Sequence, residues 1–388
     1  MWLKREISDL LVQLAAKRPA VLITGARQTG KTSLLQQLFT QHNYVTLDIP
    51  LNARRARDES GFFLENHATP LIIDEIQYAP ELFRYLKVHI DQNRHSNGQF
   101  LITGSQKFSL MQGVTDSLAG RVSIVNLHSL SVAELHRHFD AALNTRQTLQ
   151  WMVKGGYPEI YEHDLESSRF HADYIATYIE RDVRQLINIR HVGEFDQFMR
   201  LLALRSGQIF NMSRIASEVG VSVNTIKSWI NVLETSNIIY LLRPYYQNFG
   251  KRLIKSPKLY FLDTGLLCYL TNIHSPEMLV DSPLLGAFFE TFALGQLLRK
   301  MHNRGAPDEI YYFRDKDGKE VDFLIPWGSQ IDLYECKWND ETGEIPTNIK
   351  KLLPVFGQEH VRKIHTLTNT EVKVQISDKF FVSNMVEL

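Results

Sequence analysis

Residues 25–32 are Gly25-Ala26-Arg27-Gln28-Thr29-Gly30-Lys31-Thr32, and they lie between an apolar run at 20–24 and a helical pattern at 33–39. This order predicts a strand, a tight loop and a helix. The two glycines let the backbone wrap closely around phosphate oxygens, and the N–H groups at the start of a helix attract negative charge. The loop therefore predicts a binding site for a polyphosphate.

The residues after the second glycine indicate the chemistry of that site. In a loop with G-x4-G-K-T spacing, Lys31 is expected to contact the β- and γ-phosphates of ATP, and Thr32 is expected to bind Mg²⁺. The whole loop and the residue after it are the predicted ATP-binding residues: Gly25, Ala26, Arg27, Gln28, Thr29, Gly30, Lys31, Thr32 and Ser33.

A second apolar run, Leu71-Ile72-Ile73, is followed by two adjacent carboxylates, Asp74 and Glu75. It predicts a buried parallel strand, and ligands bind at the carboxyl ends of such strands. Asp74 would hold Mg²⁺ through its hydration shell, and Glu75 would orient and polarise the attacking water. An ordinary strand can also end in Asp-Glu, but the preceding phosphate loop favours catalysis. A water-activating acid indicates ATP hydrolysis rather than a small-molecule kinase.

Further polar residues are candidates for contact with the γ-phosphate. Thr103 and Ser105 follow an apolar run and are expected to sense the phosphate or the attacking water, or else to cap a glycine turn. Arg121 opens another predicted strand, where it would stabilise the γ-phosphate or form a surface ion pair. A homo-oligomer is required if Arg121 acts on a neighbouring subunit.

The composition places few limits on the function. The 388 residues include 43 Lys and Arg and 43 Asp and Glu, so nucleic-acid binding would need a local basic patch. The two cysteines have no disulfide or metal-site spacing. A signal peptide and an apolar run long enough to span a membrane are both lacking, which predicts a cytoplasmic protein without a membrane partner.

Several motifs together resemble the AAA-type ATPases of prokaryotes that carry a C-terminal domain of unknown function. The resemblance implies a P-loop parallel sheet with a helical lid, and it covers nearly the whole chain. The motifs that carry it lie at 25–32, 71–77, 101–106, 118–121, 155–159, 178–183 and 256–265.

The middle of the chain has two patterns. Apolar residues at three- and four-residue steps between 149 and 190 predict a helical lid. Two short amphipathic helices joined at Gly220-Val221-Ser222, followed by Ile238–Leu242 as a wing-like hairpin, predict a winged helix. Its second helix offers few base-reading side chains, so the basic stretch around Lys251–Lys258 would hold DNA phosphates, or the module would only dock protein.

The last part of the chain contains a second candidate site. Glu290 lies in a predicted helix, Asp322 in one strand, and Glu335 and Lys337 two residues apart in the next. Residues two apart in a strand share a face, so these side chains are expected to converge. Three carboxylates beside a lysine would bind Mg²⁺ or Mn²⁺ and stabilise charge in phosphate chemistry.

This set, a helix Glu, a strand Asp and a strand Glu-x-Lys, resembles the restriction-endonuclease-like family of the PD-(D/E)XK type. The resemblance implies Glu290, Asp322 and Glu335 as metal ligands, catalysis by Asp322, Glu335 and Lys337, and DNA or RNA as the partner. An inactive relic of such a domain, or ordinary salt bridges on a sheet, would present the same residues.

The predicted fold class is α/β. It comprises a P-loop AAA-type ATPase domain at 1–148, a helical lid at 149–191, a winged helix at 192–249 and a restriction-endonuclease-like domain at 250–388. The predicted function is Mg²⁺-dependent ATP hydrolysis coupled to a nuclease-like domain that acts on nucleic acid. The alternative is a nucleotide-switched protein-binding module with a catalytically inactive nuclease-like domain. In the ATPase, the predicted catalytic residues are Lys31, Glu75 and Arg121, with Ser105 and Asp74 beside the nucleotide.

Overall fold

A computed structural model describes residues 2–105, 117–179, 192–245, 256–339, 343–371 and 373–387. The chain forms two compact units, each assembled from several segments. The first unit comprises Met1–Leu130, Thr235–Asn237 and Arg299–Pro307. The second unit comprises Ser131–Glu234, Ile238–Leu298 and Asp308–Leu388. The domain bounds proposed from the sequence stay predictions.

The first unit contains a parallel five-stranded sheet with the order β2-β3-β4-β1-β5. Strands β1, β3 and β4 are buried along their whole length, as their continuous apolar runs predict. The elements are α1 (Ser8–Lys17), β1 (Ala20–Thr24), α2 (Lys31–Leu38), β2 (Asn43–Thr46), α3 (Pro50–Asp58), α4 (Ser60–Glu65), β3 (Leu71–Asp74), α5 (Leu82–Gln92), β4 (Phe100–Gly104) and β5 (Val122–Asn126).

Two apolar cores stabilise this sheet. One contains Leu22, Ile73 and Phe83, and the other contains Ile7, Val21 and a buried part of α2. The helices α3 and α4 are separate because Glu59, between them, leaves the helical conformation at φ −132° and ψ 44°. Since all the strands are parallel, their carboxyl ends lie at one edge of the sheet, where the candidate ATP-site residues follow β1, β3 and β4.

The segment Arg299–Pro307 completes the first unit from a distant part of the sequence. Arg299 Nε donates to the carbonyl oxygen of Ser129 at 3.0 Å, and Arg299 Nη2 donates to Ser129 Oγ at 2.6 Å. The imidazole rings of His128 and His302 stack at a centroid distance of 4.8 Å. The stretch that follows β5 is thus anchored by residues far along the chain.

The second unit begins with helices and continues into a small antiparallel sheet of order β6-β8-β7. The helices Met212–Val219 and Val223–Thr235 lie where the helix-turn-helix is expected, and the strand Ile239–Leu242 pairs with Lys258–Phe261 as a wing strand would. The winged-helix assignment itself stays a prediction. Lys251, Arg252 and Lys255 lie outside the described residues. The elements are α6 (Val132–Phe139), α7 (Thr145–Lys154), α8 (Pro158–Glu162), α9 (Ser167–Tyr174), a π-helical turn (Ile175–Ile179), α10 (Val192–Ala203), β6 (Gln208–Ile209), α11 (Met212–Val219), α12 (Val223–Thr235), β7 (Ile239–Leu242), β8 (Lys258–Phe261), α13 (Thr264–Leu270) and α14 (Pro276–Val280).

The same unit ends in a mixed six-stranded sheet of order β13-β14-β12-β11-β10-β9. Strands β9, β10 and β11 are antiparallel neighbours, whereas β11, β12 and β14 are parallel. The predicted strands around Tyr311, Asp322 and Glu335 are confirmed. The elements are α15 (Leu285–Asn303), β9 (Tyr311–Arg314), β10 (Glu320–Trp327), β11 (Gln330–Cys336), α16 (Thr347–Phe356), β12 (Val361–Leu367), β13 (Val374–Gln375) and β14 (Phe380–Ser383).

Two glycine-containing segments meet inside the second unit. The carboxylate of Asp263 caps α13 by accepting from the backbone N–H groups of Gly265 and Leu266, and it also accepts from the N–H of Gly156 at 2.9 Å. A Cβ atom on Gly265 would lie 2.6 Å from Nε2 of His171 and 2.7 Å from the carbonyl oxygen of Lys154. Only glycine fits there. Within the described part of the chain, no helix is long and apolar enough to cross a membrane.

Candidate functional site

The loop after β1 has a conformation that its glycines permit. Gly25 has φ +152°, and a Cβ atom there would lie 2.1 Å from the carbonyl oxygen of Leu127. Gly30, directly before α2, is left-handed at φ 89°. A side chain at either position would strain the backbone or clash with it. The loop therefore leads from β1 into the N-terminus of α2, as the sequence predicts.

The side chains of the loop differ in exposure. Lys31 is 5% exposed, and its Nζ donates to the carbonyl oxygens of Gly25 and Ala26 at 3.1 and 2.8 Å. Thr29 is also buried, and its hydroxyl donates to the Ala26 carbonyl at 3.0 Å. Arg27 and Gln28 are half-buried, and Ser33, directly after the loop, is exposed.

Three hydroxyl groups converge on the buried carboxylate of Asp74, at the end of β3. Thr32 Oγ1 and Thr103 Oγ1 each donate to Asp74 Oδ1 at 2.6 Å. The Tyr44 hydroxyl donates to Asp74 Oδ2 at 3.1 Å. Burial and the Asp74 charge raise the pKa of Tyr44 to about 12, so the phenol keeps its proton. Thr32 and Asp74 supply adjacent oxygens of the kind that Mg²⁺ prefers, so these residues fit the ion.

Glu75 is held next to this group in an uncommon backbone conformation. It is left-handed at φ 57°, and its N–H donates to Thr103 Oγ1 at 3.0 Å. Its carboxylate oxygen Oε2 accepts hydrogen bonds from Gln77 Nε2 and, at 3.2 Å, from Ser105 Oγ. Thr103 thus contacts both acids, whereas Ser105 contacts only Glu75 and Gln77 among the described partners.

Sequence reasoning missed three residues of this region. Arg5 is 5% exposed and donates from Nη1 to the Thr29 carbonyl at 2.8 Å and from Nη2 to the His128 carbonyl at 2.7 Å. The other two are Tyr44 and Gln77. No local motif marks Arg5 or Tyr44, while the position of Gln77 two residues after Glu75 was a signal that could have been used.

Arg121 does not share a described contact with the loop. Its Nε and Nη2 atoms bind the two carboxylate oxygens of Asp91 at 2.7 and 2.9 Å, and its Nη1 donates to the Ala119 carbonyl. These contacts are those of the surface ion pair that was the alternative for Arg121. Its participation in hydrolysis stays a prediction.

The second candidate site, in the second unit, is a cluster of carboxylates. Oxygens of Glu290, Glu320 and Asp322 all lie within 4.8 Å of one another. Glu335 lies opposite Asp322 in the β10–β11 ladder, in which Phe323 pairs with Tyr334. Glu335 Oε1 binds Lys337 Nζ at 3.0 Å. The structure therefore brings together the four predicted residues, and it adds Glu320, which shares the Asp322 face of β10 two residues away.

A buried lysine also belongs to this cluster. Lys258 Nζ binds Glu290 Oε1 at 2.9 Å and also contacts Glu320 Oε1, and the Tyr260 hydroxyl donates to Glu290 Oε1. Sequence reasoning counted Lys258 only in the basic stretch. No local signal places it beside Glu290, because the contact joins β8 to a helix 32 positions further along the chain.

Burial sets the electrostatics of the cluster. It raises the pKa of Asp322 well above its ordinary value, with further contributions from the Glu290 and Glu335 charges. Burial likewise raises the pKa of Glu335, against the opposing effect of Lys337. Burial alone would lower the pKa of Lys258, but the charges of Glu290, Asp322 and Glu320 outweigh it and raise that pKa. The cluster thus combines buried carboxyl groups with two ammonium groups, those of Lys258 and Lys337.

Family models match three parts of the chain. The model described as an AAA domain matches residues 17–136, which include the phosphate loop, Asp74 and Glu75. Two models described as domains of unknown function, DUF8612 and DUF4143, match residues 145–277 and 285–387. The restriction-endonuclease-like assignment of the last region stays a prediction.

Relatives that align with most of the chain are found in Mycobacterium and in Methanocaldococcus. The uncharacterized protein Rv2008c of Mycobacterium tuberculosis is 32% identical over 337 residues, which are 84% of this chain and 73% of the relative. Its Mycobacterium bovis counterpart has the same values. The uncharacterized protein MJ1637 of Methanocaldococcus jannaschii is 23% identical over 365 residues, which are 81% of this chain and 75% of the relative.

Solved structures show weaker similarity. A Walker-type ATPase of Pyrococcus abyssi aligns with 69% of this chain and 96% of its own, at 16% identity and a TM-score of 0.48. AMPPCP-bound DnaA from Aquifex aeolicus aligns with 59% of this chain and 85% of its own, at 13% identity and a TM-score of 0.31. The chain belongs to the same family as these mycobacterial relatives, and its residues 17–136 match the AAA domain.

Proposed function

We propose that the chain hydrolyses ATP in a Mg²⁺-dependent reaction at the loop of residues 25–32, and that hydrolysis is coupled to the acidic site of the C-terminal region. The observation that carries the first part is the 2.6 Å contact between Thr32 Oγ1 and Asp74 Oδ1, with Glu75 directly after Asp74. This contact supports a Mg²⁺ ion shared by a loop hydroxyl and a strand carboxylate.

Lys31 and the loop amides would bind the triphosphate. The Lys31 ammonium now donates to two loop carbonyls, and phosphate oxygens would compete for the same donors. Thr32 and Asp74 would hold the Mg²⁺ ion, which would neutralise charge on the β- and γ-phosphates. The ion supplies electrostatic stabilisation, and the amides supply orientation at no cost in reorganisation.

Glu75 would act as the general base. Its carboxylate would accept a proton from the attacking water as the water oxygen bonds to the γ-phosphorus and the bond to the β-phosphate oxygen breaks, which yields ADP and phosphate. Ser105 and Gln77 hold the carboxylate before the substrate arrives. These two hydrogen bonds support a general base that is positioned by Ser105, directly after β4, and by Gln77 on the 3-10 turn Ile76–Tyr78.

The acidic site is proposed to cleave nucleic acid with Mg²⁺ or Mn²⁺. Glu290, Asp322 and Glu335 would bind the metal, and Lys337 would stabilise the negative charge that develops on the phosphate. The close approach of the Glu290 and Asp322 oxygens supports a metal site. The ion pair between Lys337 and Glu335 supports a lysine held next to the proposed metal ligands.

A second candidate function is a nucleotide-switched protein-binding module with an inactive nuclease-like domain. The observation that favours it is the contact of Lys258 with Glu290, because a buried ion pair also satisfies these acids without any metal. Slow ATP turnover together with partner binding that depends on nucleotide would support this candidate.

The ATPase proposal is tested by measuring phosphate release at several protein concentrations, with and without DNA. We expect Lys31→Ala to abolish turnover, and an Arg121→Ala defect that depends on protein concentration would indicate action between subunits. Unchanged turnover in Lys31→Ala would refute the ATPase assignment.

The nuclease proposal needs a separate assay. Purified protein is incubated with single- and double-stranded DNA or RNA and Mn²⁺, beside the Asp322→Ala/Lys337→Ala variant. Product formed only by the wild-type protein would support cleavage. Equal product from both proteins would mean that the acidic site is not the source.

A further inference from the structure

The acidic site of the second unit contains a cation of its own. We infer that the Lys258 ammonium occupies the cation position of this site, and that a divalent metal ion binds there only by displacing it. The inference rests on the proposed metal site and concerns how that site is regulated.

Strand β8 delivers this lysine. Lys258 and Tyr260 are two residues apart in β8, so their side chains share one face of the strand. Both side chains reach Glu290 Oε1, and Lys258 also contacts Glu320 Oε1. The Lys258 side chain is only 3% exposed, so its charge is balanced by these carboxylates rather than by water.

The lysine and a metal ion would bind the same carboxylate side chains. The three carboxylates that could hold a metal, with oxygens within 4.8 Å of one another, are Glu290, Glu320 and Asp322. Lys258 already binds two of these three residues. A Mg²⁺ ion binds carboxylate oxygens at about 2.0–2.1 Å, and its charge would repel an ammonium held on the same carboxylates. The two cations therefore compete.

A further carboxylate oxygen is available for the incoming ion. Glu335 Oε2 is buried and has no hydrogen-bond partner among the described residues, in a side chain that is 4% exposed. The other oxygen, Oε1, binds Lys337. Because Glu335 lies opposite Asp322 on the neighbouring strand, this unpaired acceptor borders the cluster. An unpaired buried acceptor is unfavourable until a ligand reaches it, and a metal ion would do so.

The competition links the site to the small sheet of the second unit. Lys258 lies in β8, which pairs with both β6 and β7. Displacement of its ammonium from Glu290 and Glu320 would require the side chain to change conformation on that strand. Metal loading would thus depend on how β8 presents the lysine.

The test is Mn²⁺ binding to the nucleotide-free full-length chain, followed by the electron paramagnetic resonance signal of free Mn²⁺. We expect Lys258→Met to bind Mn²⁺ at least tenfold more tightly than the wild-type protein, and Glu290→Gln in the same chain to remove this gain. Lys337→Met is the matched control, because it deletes a neighbouring lysine that binds Glu335 instead, and we expect a smaller gain from it.

The outcomes separate the inference from the metal site. Equal gains in Mn²⁺ affinity from Lys258→Met and Lys337→Met would show a general charge effect. That result would overturn the inference that Lys258 occupies the cation position. Glu290-dependent binding that is equally tight in wild type and Lys258→Met would also overturn it, while the metal site would stand. No Glu290-dependent binding in any variant would refute both. If Lys258→Met does not fold, the double variant Lys258→Met/Glu320→Gln is used, because it removes one positive and one negative charge. Its Mn²⁺ affinity is compared with that of Glu320→Gln alone, and we expect the double variant to bind at least tenfold more tightly.

Discussion

The hydroxyl of Thr32 donates a 2.6 Å hydrogen bond to the carboxylate of Asp74, 42 positions further along the chain. This bond joins the phosphate loop to the end of β3. Thr103 donates to the same carboxylate oxygen, so Asp74 is held from two sides. The acid proposed to share the metal ion is therefore oriented before any ligand arrives.

We expect Asp74→Asn to lower ATP turnover by at least about 100-fold, because an amide binds Mg²⁺ far more weakly than a carboxylate does. Tyr44→Phe is the control, since it removes only the hydroxyl that donates to Asp74 Oδ2. A loss below about tenfold is expected there, the scale of one hydrogen bond. Phosphate release at varied Mg²⁺ concentration measures both, and wild-type turnover by Asp74→Asn would contradict the assignment.

Glu75→Gln is expected to reduce the hydrolysis rate by about 10²–10⁴-fold, the range that general bases contribute. ATP affinity is expected to change little, because the Glu75 carboxylate acts on water rather than on the nucleotide. Titration with a fluorescent ATP analogue and single-turnover phosphate release separate the two effects. Loss of binding equal to the loss of rate would place Glu75 in nucleotide binding instead.

Arg5→Ala is expected to weaken ATP binding and to destabilise the first unit. The variant leaves the Thr29 and His128 carbonyls without their guanidinium donor, and an unsatisfied buried polar group costs about 1–3 kcal/mol. Arg18→Ala is the control, because Arg18 is exposed. Thermal unfolding with and without ATP measures both effects. An Arg5→Ala protein as stable as Arg18→Ala would show that these hydrogen bonds do not brace the loop.

Gly265→Ala is expected to destabilise the second unit severely, because its Cβ atom would lie 2.6 Å from His171 Nε2 and 2.8 Å from Gly155 Cα. Gly286→Ala provides the matched comparison. A Cβ atom there meets nothing within 4 Å, and alanine favours a helix by about 1 kcal/mol relative to glycine. In urea unfolding, we expect the free energy of unfolding to fall in Gly265→Ala and to stay or rise in Gly286→Ala. An equal change in both variants would contradict the close packing at Gly265.

His171 is expected to make the stability of the second unit depend on pH. Burial lowers the pKa of His171 from 6.5 to about 4, and the Asp263 charge and the Lys154 carbonyl oppose this only in part. The unfolded chain therefore binds a proton near pH 6.5 and the folded chain only near pH 4. The free energy of unfolding should fall as the pH drops between these values.

Urea unfolding at pH 7 and pH 5 measures this effect, with His171→Gln as the comparison. The variant lacks the titrating ring, so its stability should fall less between the two pH values. A wild-type protein and a variant with the same pH dependence would assign that dependence to other groups.

The sequence predicted the features that local pattern encodes. Gly25, Lys31 and Asp74 belong to short motifs whose backbone requirements are visible in the residue types. Arg5 and Tyr44 could not be predicted, because each acts through a contact set by packing between distant segments. Glu320 was within reach, since alternation along β10 places it on the face of Asp322.

The acidic site likewise contains residues that motifs predict and one residue that only packing between distant segments brings in. The order of Glu290, Asp322 and Glu335 predicted three carboxylates close together. Lys258 enters that group from β8, and no spacing in the sequence relates it to Glu290. Charge balance inside a buried site is a property of the folded chain. The motifs therefore predicted the carboxylates, but they did not predict that Lys258 pairs with Glu290.

The segment Arg299–Pro307 belongs to the first unit, although 165 residues of the second unit lie between it and Leu130 in the sequence. During synthesis the ribosome releases residues 25–32, Asp74 and Glu75 long before it releases Arg299 and His302. The hydrogen bonds from Arg299 to Ser129 can form only after nearly four-fifths of the chain has been translated. A nascent chain therefore cannot complete its first unit until much of the rest of the chain has already emerged.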